Sequence, residues 1–598
     1  MIRAGVLQQL KGGAAWSPLF VFGAALLLLA AALLEGNAYR WAAITLLLLG
    51  FVSAPSRALP ANLLSIALGV YCAWLFLNAA VLTPNYSAES LYRPLILFGS
   101  FVAGAALGRA ALTQLFHAGT ALLALLVLLG LLQFYFGFWH LAHNPQRAAA
   151  TFITPNTFAT AINLFLLPLI ALTLMRNGSR QAYFAALWMF AGLLATESRG
   201  GWLAFLAGLA FIVFYAGVPR TRAAREPWLR MIAGLLWVFI AFSAATRLAP
   251  SAGLADAFGE TVVSRGTSYR IDIAVVALQQ IAERPLAGAG ANMFQTLYEM
   301  SKPAELDTGS TFLFVHNDYL QIWVEFGLIG LVLLGAVIVT ALALLLKARR
   351  AHDPLPLACG AAAAGVFAHA VVDFPLYIPF LLLLMGLWLG ALAAHGGEFA
   401  RLGLLVARTG QRLLPLRSPL VMGALCIAAL AWLAQPAIAD LAGRRALGEL
   451  RAGRPEAGLY WQSVARRLEP RNGAHYWTEA VIWRDQAVEA HDKALAARAD
   501  MLLAEGVRAD PYQIANYLER AGLHRRHSDL FDPPRRAEEM LAWTGEALRL
   551  RPYSLIAQAE HARTLSYAGR ADEAKRLSRA MLERRPESEM ARRLAAEL

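Results

Sequence analysis

Apolar runs of roughly 17–25 residues recur along the first 435 positions of this chain, each long enough to cross a hydrocarbon core of about 30 Å. A chain so patterned reads as an all-α, polytopic helical membrane protein. The expected spans are 17–34, 40–54, 61–82, 94–109, 118–138, 157–175, 181–196, 200–217, 231–247, 319–346, 355–371, 375–395 and 418–436, about thirteen in all. Composition agrees: 58% of residues are hydrophobic and only 16% charged, far from the profile of a soluble domain. Met1 to Lys11 is short and basic, but Leu19 to Leu34 continues into further apolar sequence without a cleavage site, so the first segment reads as a retained span.

The net charge of +13 is explained by orientation rather than by nucleic acid, which is not expected as a partner. With the N-terminus cytoplasmic, alternate loops carry Arg57; Arg109; Arg176 and Arg180; Arg220, Arg222, Arg225 and Arg230; Lys347, Arg349 and Arg350; and Arg401, Arg408, Arg412 and Arg417. The opposite, periplasmic face then receives Arg147, Asn156, Arg199, the long loop of about 248–318 and the turn at Asp373–Tyr377. The three cysteines, Cys72, Cys359 and Cys426, sit in apolar segments and suggest neither disulfides nor a metal site.

After about Ala437 the sequence turns rich in arginine and glutamate. The expected division is therefore a transmembrane catalytic domain, 1–436, and a periplasmic helical domain, 437–598. Pro552 and Pro586 lie 34 residues apart and enclose Ala557, Ala559, Ala562, Tyr567, Gly569, Ala571 and Ala574, a pattern like a tetratricopeptide unit. Pro470 and Pro511 mark earlier, less regular repeats. Stacked units of this kind make a concave protein-binding surface, the plain alternative being a helical cap.

Three polar interruptions carry chemistry. His316, Asn317 and Asp318 stand at the mouth of the apolar helix that contains Trp323, Gly327 and Gly330. An imidazole near the positive end of a helix dipole resists protonation and suits a base, whereas an interfacial anchor is the ordinary alternative. Asn317 and Asp318 either cap that helix or hold the imidazole tautomer. In T-E-S-R-G-G, Arg199 sits in a tight turn between apolar runs, where a charge faces a cavity or partner, and the glycines permit backbone approach to an anion; a Glu197–Arg199 pair or a phospholipid-headgroup contact is the ordinary alternative. Arg265 and Arg270, five residues apart at the start of a helix, form a clamp for phosphate oxygens, with Arg265 secondary. Arg147, Asn156, Asp373 and Tyr377 are supporting candidates, for which capping and anchoring are the ordinary roles. No D-x-D pair, P-loop or H-E-x-x-H occurs, so neither a metal nor any other cofactor is expected.

The stretch H-N-D-Y-L-Q-I-W-V-E-F-G-L-I-G, preceded by R-P-L-A-G-A-G and S-R-G-G, resembles the O-antigen ligase/polymerase superfamily of bacterial inner membranes. The tail and the H-A-V-V-D-F-P-L turn look like those of pilin-glycosylating protein O-oligosaccharyltransferases. The resemblance implies en bloc transfer of a glycan from an undecaprenyl-diphosphate carrier in the periplasm, without metal or nucleotide. It implies His316 as the essential histidine, and Arg199 and Arg270 as the arginines on the lipid diphosphate. The glycine usual before the family's P-N pair is absent from R-A-A-A-T-F-I-T-P-N, which leaves Arg147 and Asn156 less supported. A pilin-like protein is the expected acceptor. Lipid A core or a growing glycan is the alternative, and a transporter or scaffold is a reading from another class.

Overall fold

A computed structural model describes residues 62–83, 88–139, 147–175, 180–217, 219–248, 260–304, 312–349, 353–395 and 419–598, and these are all-helical, with no strands among them. The helices of the apolar part are α1 (Leu63–Leu77, continued by a π turn to Leu82), α2 (Ala88–Ala106), α3 (Arg109–Phe136), α4 (Pro155–Met175), α5 (Arg180–Ala195), α6 (Arg199–Ala216), α7 (Arg222–Leu248), α8 (Glu260–Glu283), α9 (Phe294–Ser301), α10 (Asp318–Ala348), α11 (Pro354–His369) and α12 (Pro379–His395). Among the described residues six helices are long and apolar enough to cross a membrane, and three shorter apolar ones join them. The expected spans at 17–34 and 40–54 lie outside the described residues.

Helix α4 is largely apolar and buried around its circumference, packed by α5, α6 and α11. By contrast, α7 exposes Leu236, Trp237, Phe239 and Ile240, the signature of a helix whose outer face meets lipid. Helices α2 and α12 touch backbone to backbone, because Gly104, Gly386 and Gly390 put no side chain between them. Cys72 and Cys359 are buried and unpaired.

Helix α10 is not the uninterrupted rod that its apolar run predicts. At Gly327 the backbone turns to φ 70° and ψ −176°, a conformation essentially reserved for glycine. The R-P-L-A-G-A-G loop fills the break. Ala289 and Gly290 amides donate to the Val324 and Glu325 carbonyls (2.8 and 2.9 Å), and the Leu328 and Ile329 amides donate to Pro285 and Leu286 (2.8 and 3.3 Å). Trp74 Nε1 donates to the Phe326 carbonyl (3.0 Å), so backbone groups released by the break find partners inside the protein.

The remaining helices are α13 (Pro419–Arg451), α14 (Pro455–Leu468), α15 (Gly473–Ala490), α16 (Lys493–Ala509), α17 (Ile514–Arg526), α18 (Ala537–Leu550), α19 (Leu555–Tyr567), α20 (Ala571–Arg584) and α21 (Glu589–Glu597). Helix α13 runs without interruption through Pro436 and Ala437, so the change of composition falls inside a helix rather than at a linker. A helix–turn–helix, α19–α20, lies between Pro552 and Pro586 as expected. The earlier units are more regular than they read. Pro470, Pro511 and Pro552 follow at steps of 41 residues, and each carbonyl accepts from the side chain six residues on: Tyr476, Tyr517 and Gln558. Successive units are joined by Arg484 to Glu519 (2.5 Å) and by Arg525 to Glu560 (3.0 Å) at matching positions.

This region seats on one end of the membrane bundle. Arg471 donates to the Ala80 and Thr83 carbonyls (3.1 and 2.7 Å), and Met300 of α9 packs with Tyr512 and Trp543.

Candidate functional site

The same end of the bundle carries the turns before α4, α6 and α10 and the turn between α11 and α12. Its centre is His316, a non-glycine residue held at φ 58°. That left-handed conformation costs roughly 1–2 kcal/mol for an L-residue, so neighbouring bonds must enforce it. On one side the Val315 amide donates to Gln321 Oε1 (2.7 Å). On the other, Asn317 caps α10 by accepting from the Tyr319 and Leu320 amides (3.0 and 3.1 Å). The Asp318 amide then donates to the Ala370 carbonyl (2.8 Å), and Asp318 Oδ2 accepts from the Leu376 amide (2.7 Å). Asp318 therefore cross-links the His316 segment to the 370–376 turn.

That cross-link brings Asp373, 57 residues away, to 3.2 Å from His316 Nδ1. The carboxylate, rather than Asn317 or Asp318, orients the imidazole. An ionised carboxylate only accepts, so in the neutral ring Nδ1 carries the proton and Nε2 keeps its lone pair. Burial pushes Asp373 up, but the His316 bond and the charges of His369, His316 and Arg270 outweigh it and hold the carboxyl below its ordinary value. The His316 side chain keeps 27% exposure, so its free edge can be reached. Phe374 stands 5.1 Å from the ring and stacks on Phe314 at 4.3 Å.

A second imidazole, His369, lies on the other side of Asp373, with Nε2 3.8 Å from Oδ2. It is fully buried, and its Nδ1 pairs with Thr160 Oγ1 at 2.7 Å. Gly200 of the S-R-G-G motif leaves the room it occupies, since a Cβ there would collide with the ring. Gly201 likewise makes way for Ala159. In this structure both glycines serve packing, Gly200 against His369 and Gly201 against Ala159.

Asn156 and Arg147 form a local brace. Asn156 Oδ1 accepts from Ser198 Oγ (2.8 Å) and Arg147 Nη2 (3.3 Å), while Arg147 Nε donates to the Thr196 carbonyl (2.9 Å). Ser198 also caps α6 by accepting from the Gly201 amide. Arg147 is lowered from the usual arginine value by burial first, with Glu197 and Asp373 raising it and Arg199 and Arg270 lowering it further. Five charged groups from four separate segments thus come together here. Arg199 and Arg270 are both exposed at the rim. Arg270 and Arg265 lie within α8 rather than at its start, and the Arg265 side chain is outside the described residues.

Tyr377 is not an interfacial anchor. It is buried, donates to Glu325 Oε2 (2.9 Å) and lies 4.8 Å beneath the Arg93 guanidinium. It also lines a small, mostly apolar cavity together with Tyr71, Leu75, Ser90, Arg93 and Phe326. Sequence reasoning missed Arg93, Thr160, Gln321 and Glu325, and quoted His369 without a role. Polar residues four apart in an apolar helix, Gln321 and Glu325, were the available signal. Among the described residues, no group of three or more His, Cys, Asp or Glu side chains is arranged to hold a metal ion.

A carboxylate-oriented imidazole beside exposed guanidinium groups can take a proton from an incoming hydroxyl and stabilise a departing anion. Residues 184–335 match the family model described as O-antigen ligase, a stretch that includes Arg199, Arg265, Arg270 and His316. No curated protein matches the chain.

Proposed function

With an O-antigen ligase domain at residues 184–335 placing this apolar, multi-helix chain with the O-antigen ligase/polymerase superfamily, we propose that it transfers a preassembled glycan en bloc from an undecaprenyl-diphosphate carrier to a Ser/Thr hydroxyl of a periplasmic or pilin-like protein. The observation that carries the reading is the 3.2 Å contact of His316 Nδ1 with Asp373, whose carboxylate also feels the Arg270 charge. The acceptor hydroxyl gives its proton to His316 Nε2 while its oxygen attacks the anomeric carbon. The bond from that carbon to the diphosphate oxygen breaks, and its electron pair leaves with the lipid diphosphate. Attack from the face opposite the leaving group inverts the anomeric centre. Arg199 and Arg270, with Arg265 secondary, neutralise the diphosphate without a metal.

The acceptor is read as protein because the helical region seated through Arg471 lies at the His316 end of the bundle. In this reading residues 1–436 are the transmembrane catalytic domain. Residues 437–598 are a tetratricopeptide-like periplasmic domain, and the N-terminus is cytoplasmic.

The test is transfer by the purified chain from an undecaprenyl-diphosphate-linked oligosaccharide to a pilin-like protein. His316→Ala is expected to lower the rate by about 10²–10⁴-fold, the usual contribution of a positioned base. A wild-type rate in that variant refutes the base assignment. Glycan appearing on lipid A core instead of protein refutes the acceptor assignment.

A further inference from the structure

The left-handed backbone at His316 depends on a residue nine positions along the chain that touches neither the imidazole nor Asp373. The Glu325 carboxylate is buried under the first turns of α10 and accepts from three donors: Gln321 Nε2 (2.8 Å), Tyr377 Oη (2.9 Å) and the Asn292 amide. Because Gln321 gives its NH₂ to Glu325, its carbonyl oxygen is turned toward the Val315 amide, which it accepts at 2.7 Å. A glutamine amide can face either way, and only its partners decide which end points where. Here Glu325 decides. Val315 is the residue whose fixed amide precedes the φ 58° turn that carries the imidazole to Asp373. The three donors come from α10 itself, from the 370–377 turn and from the loop filling the Gly327 break, so one carboxylate ties three segments to the site.

We propose that Glu325 is a positioning residue for the reaction: through the orientation of Gln321 and the Val315 amide it holds His316 against Asp373. The proposal rests on the reading of His316 as the acceptor's base.

Glu325→Gln keeps the size of the side chain but presents an NH₂ where only acceptors fit. Relief by turning the Gln321 amide would set its NH₂ against the Val315 N–H. The exchange Gln321→Glu with Glu325→Gln restores the pairing along this link: the carboxylate, now at 321, accepts from Val315 and from the amide at 325, whose carbonyl oxygen keeps its two lone pairs for Tyr377 and the Asn292 amide.

The assay is transfer from an undecaprenyl-diphosphate-linked oligosaccharide to a pilin-like protein by the full chain, with kcat and donor KM measured separately. The rate of His316 modification by diethyl pyrocarbonate, read by mass spectrometry, is measured alongside. Glu325→Gln is expected to lower kcat by about 10- to 100-fold, in keeping with a small misplacement of a reacting group, with donor KM little changed and His316 modified at an altered rate. The exchange is expected to recover most of both. If Glu325→Gln does not fold, Gln321→Ala, which cuts the link and leaves Glu325 its other donors, is expected to reproduce the loss. Unchanged kcat and modification rate overturn the proposal, as does an exchange variant no better than the single one. If His316→Ala proves fully active, the base reading fails by itself, and the modification rates still decide whether Glu325 positions the ring.

Discussion

Gly200→Ala is the sharpest test of how the site is packed. The added methyl would stand 2.6 Å from His369 Cδ2, closer still to Nε2, and 3.1 Å from Val372 Cγ2, where ordinary contact begins at 3.4 Å. The ring must therefore move by about 1.1 Å, the distance that brings its nearest atom, Nε2, out to 3.4 Å. It is fully buried and bonded to Thr160 at 2.7 Å, so it has no free direction. Overpacking of this kind costs about 1–3 kcal/mol, to which a broken Thr160 bond adds about 0.5–1.5 kcal/mol. Movement of His369 also disturbs Asp373, 3.8 Å away, and through it His316. Thermal unfolding in detergent should be lowered, and transfer should fall by about 10- to 100-fold. Gly201→Ala is the control, since its methyl meets Ala159 at 2.7 Å and not the imidazole. It should cost similar stability with a smaller loss of rate. A Gly200→Ala protein with wild-type stability and rate would refute the packing argument.

Two further perturbations probe other parts of the molecule. Gly327→Ala forces a side chain into a glycine conformation and places its Cβ 2.6 Å from the Ala287 carbonyl carbon; a loss of about 3 kcal/mol or more is expected from backbone and overpacking together, read as faster proteolysis at 285–292. In the helical region, burial raises Asp500, but hydrogen bonds from His524 and Arg520 and their charges outweigh it and hold the carboxyl well below its usual range. A depressed folded-state value means this stabilisation is present above the unfolded value of about 3.9 and is lost as pH falls below it. Hydrogen exchange in the full chain should show α16 and α17 opening more readily below about pH 4, and Asp500→Asn should flatten that dependence.

The sequence shows the apolar periodicity, the Asn317 cap and the Pro552–Pro586 unit, because each is encoded within a few turns of helix. It does not show which partner orients His316. Asp373 stands in the chain as one more interfacial acid until Asp318 folds its turn back across 57 residues. Gly327 looks like a packing glycine because the loop that opens the helix lies some forty residues earlier and bonds through backbone atoms, which leave no side-chain pattern. The 41-residue step is masked by the shorter 34-residue one that follows, and only the recurring proline carbonyl bond exposes it.

The seat of Arg471 gives the molecule an order of completion. The Ala80 and Thr83 carbonyls at the end of the α1 segment receive their donors from a residue made 391 and 388 positions later. Asn78 and Thr83 in turn hold the Ala291 amide (3.2 and 2.8 Å), next to the loop that opens α10. During synthesis that corner stays without its guanidinium until the ribosome has passed the whole membrane region. A chain cut short before residue 471 would carry every candidate catalytic side chain and still lack the last bonds of the scaffold beneath them.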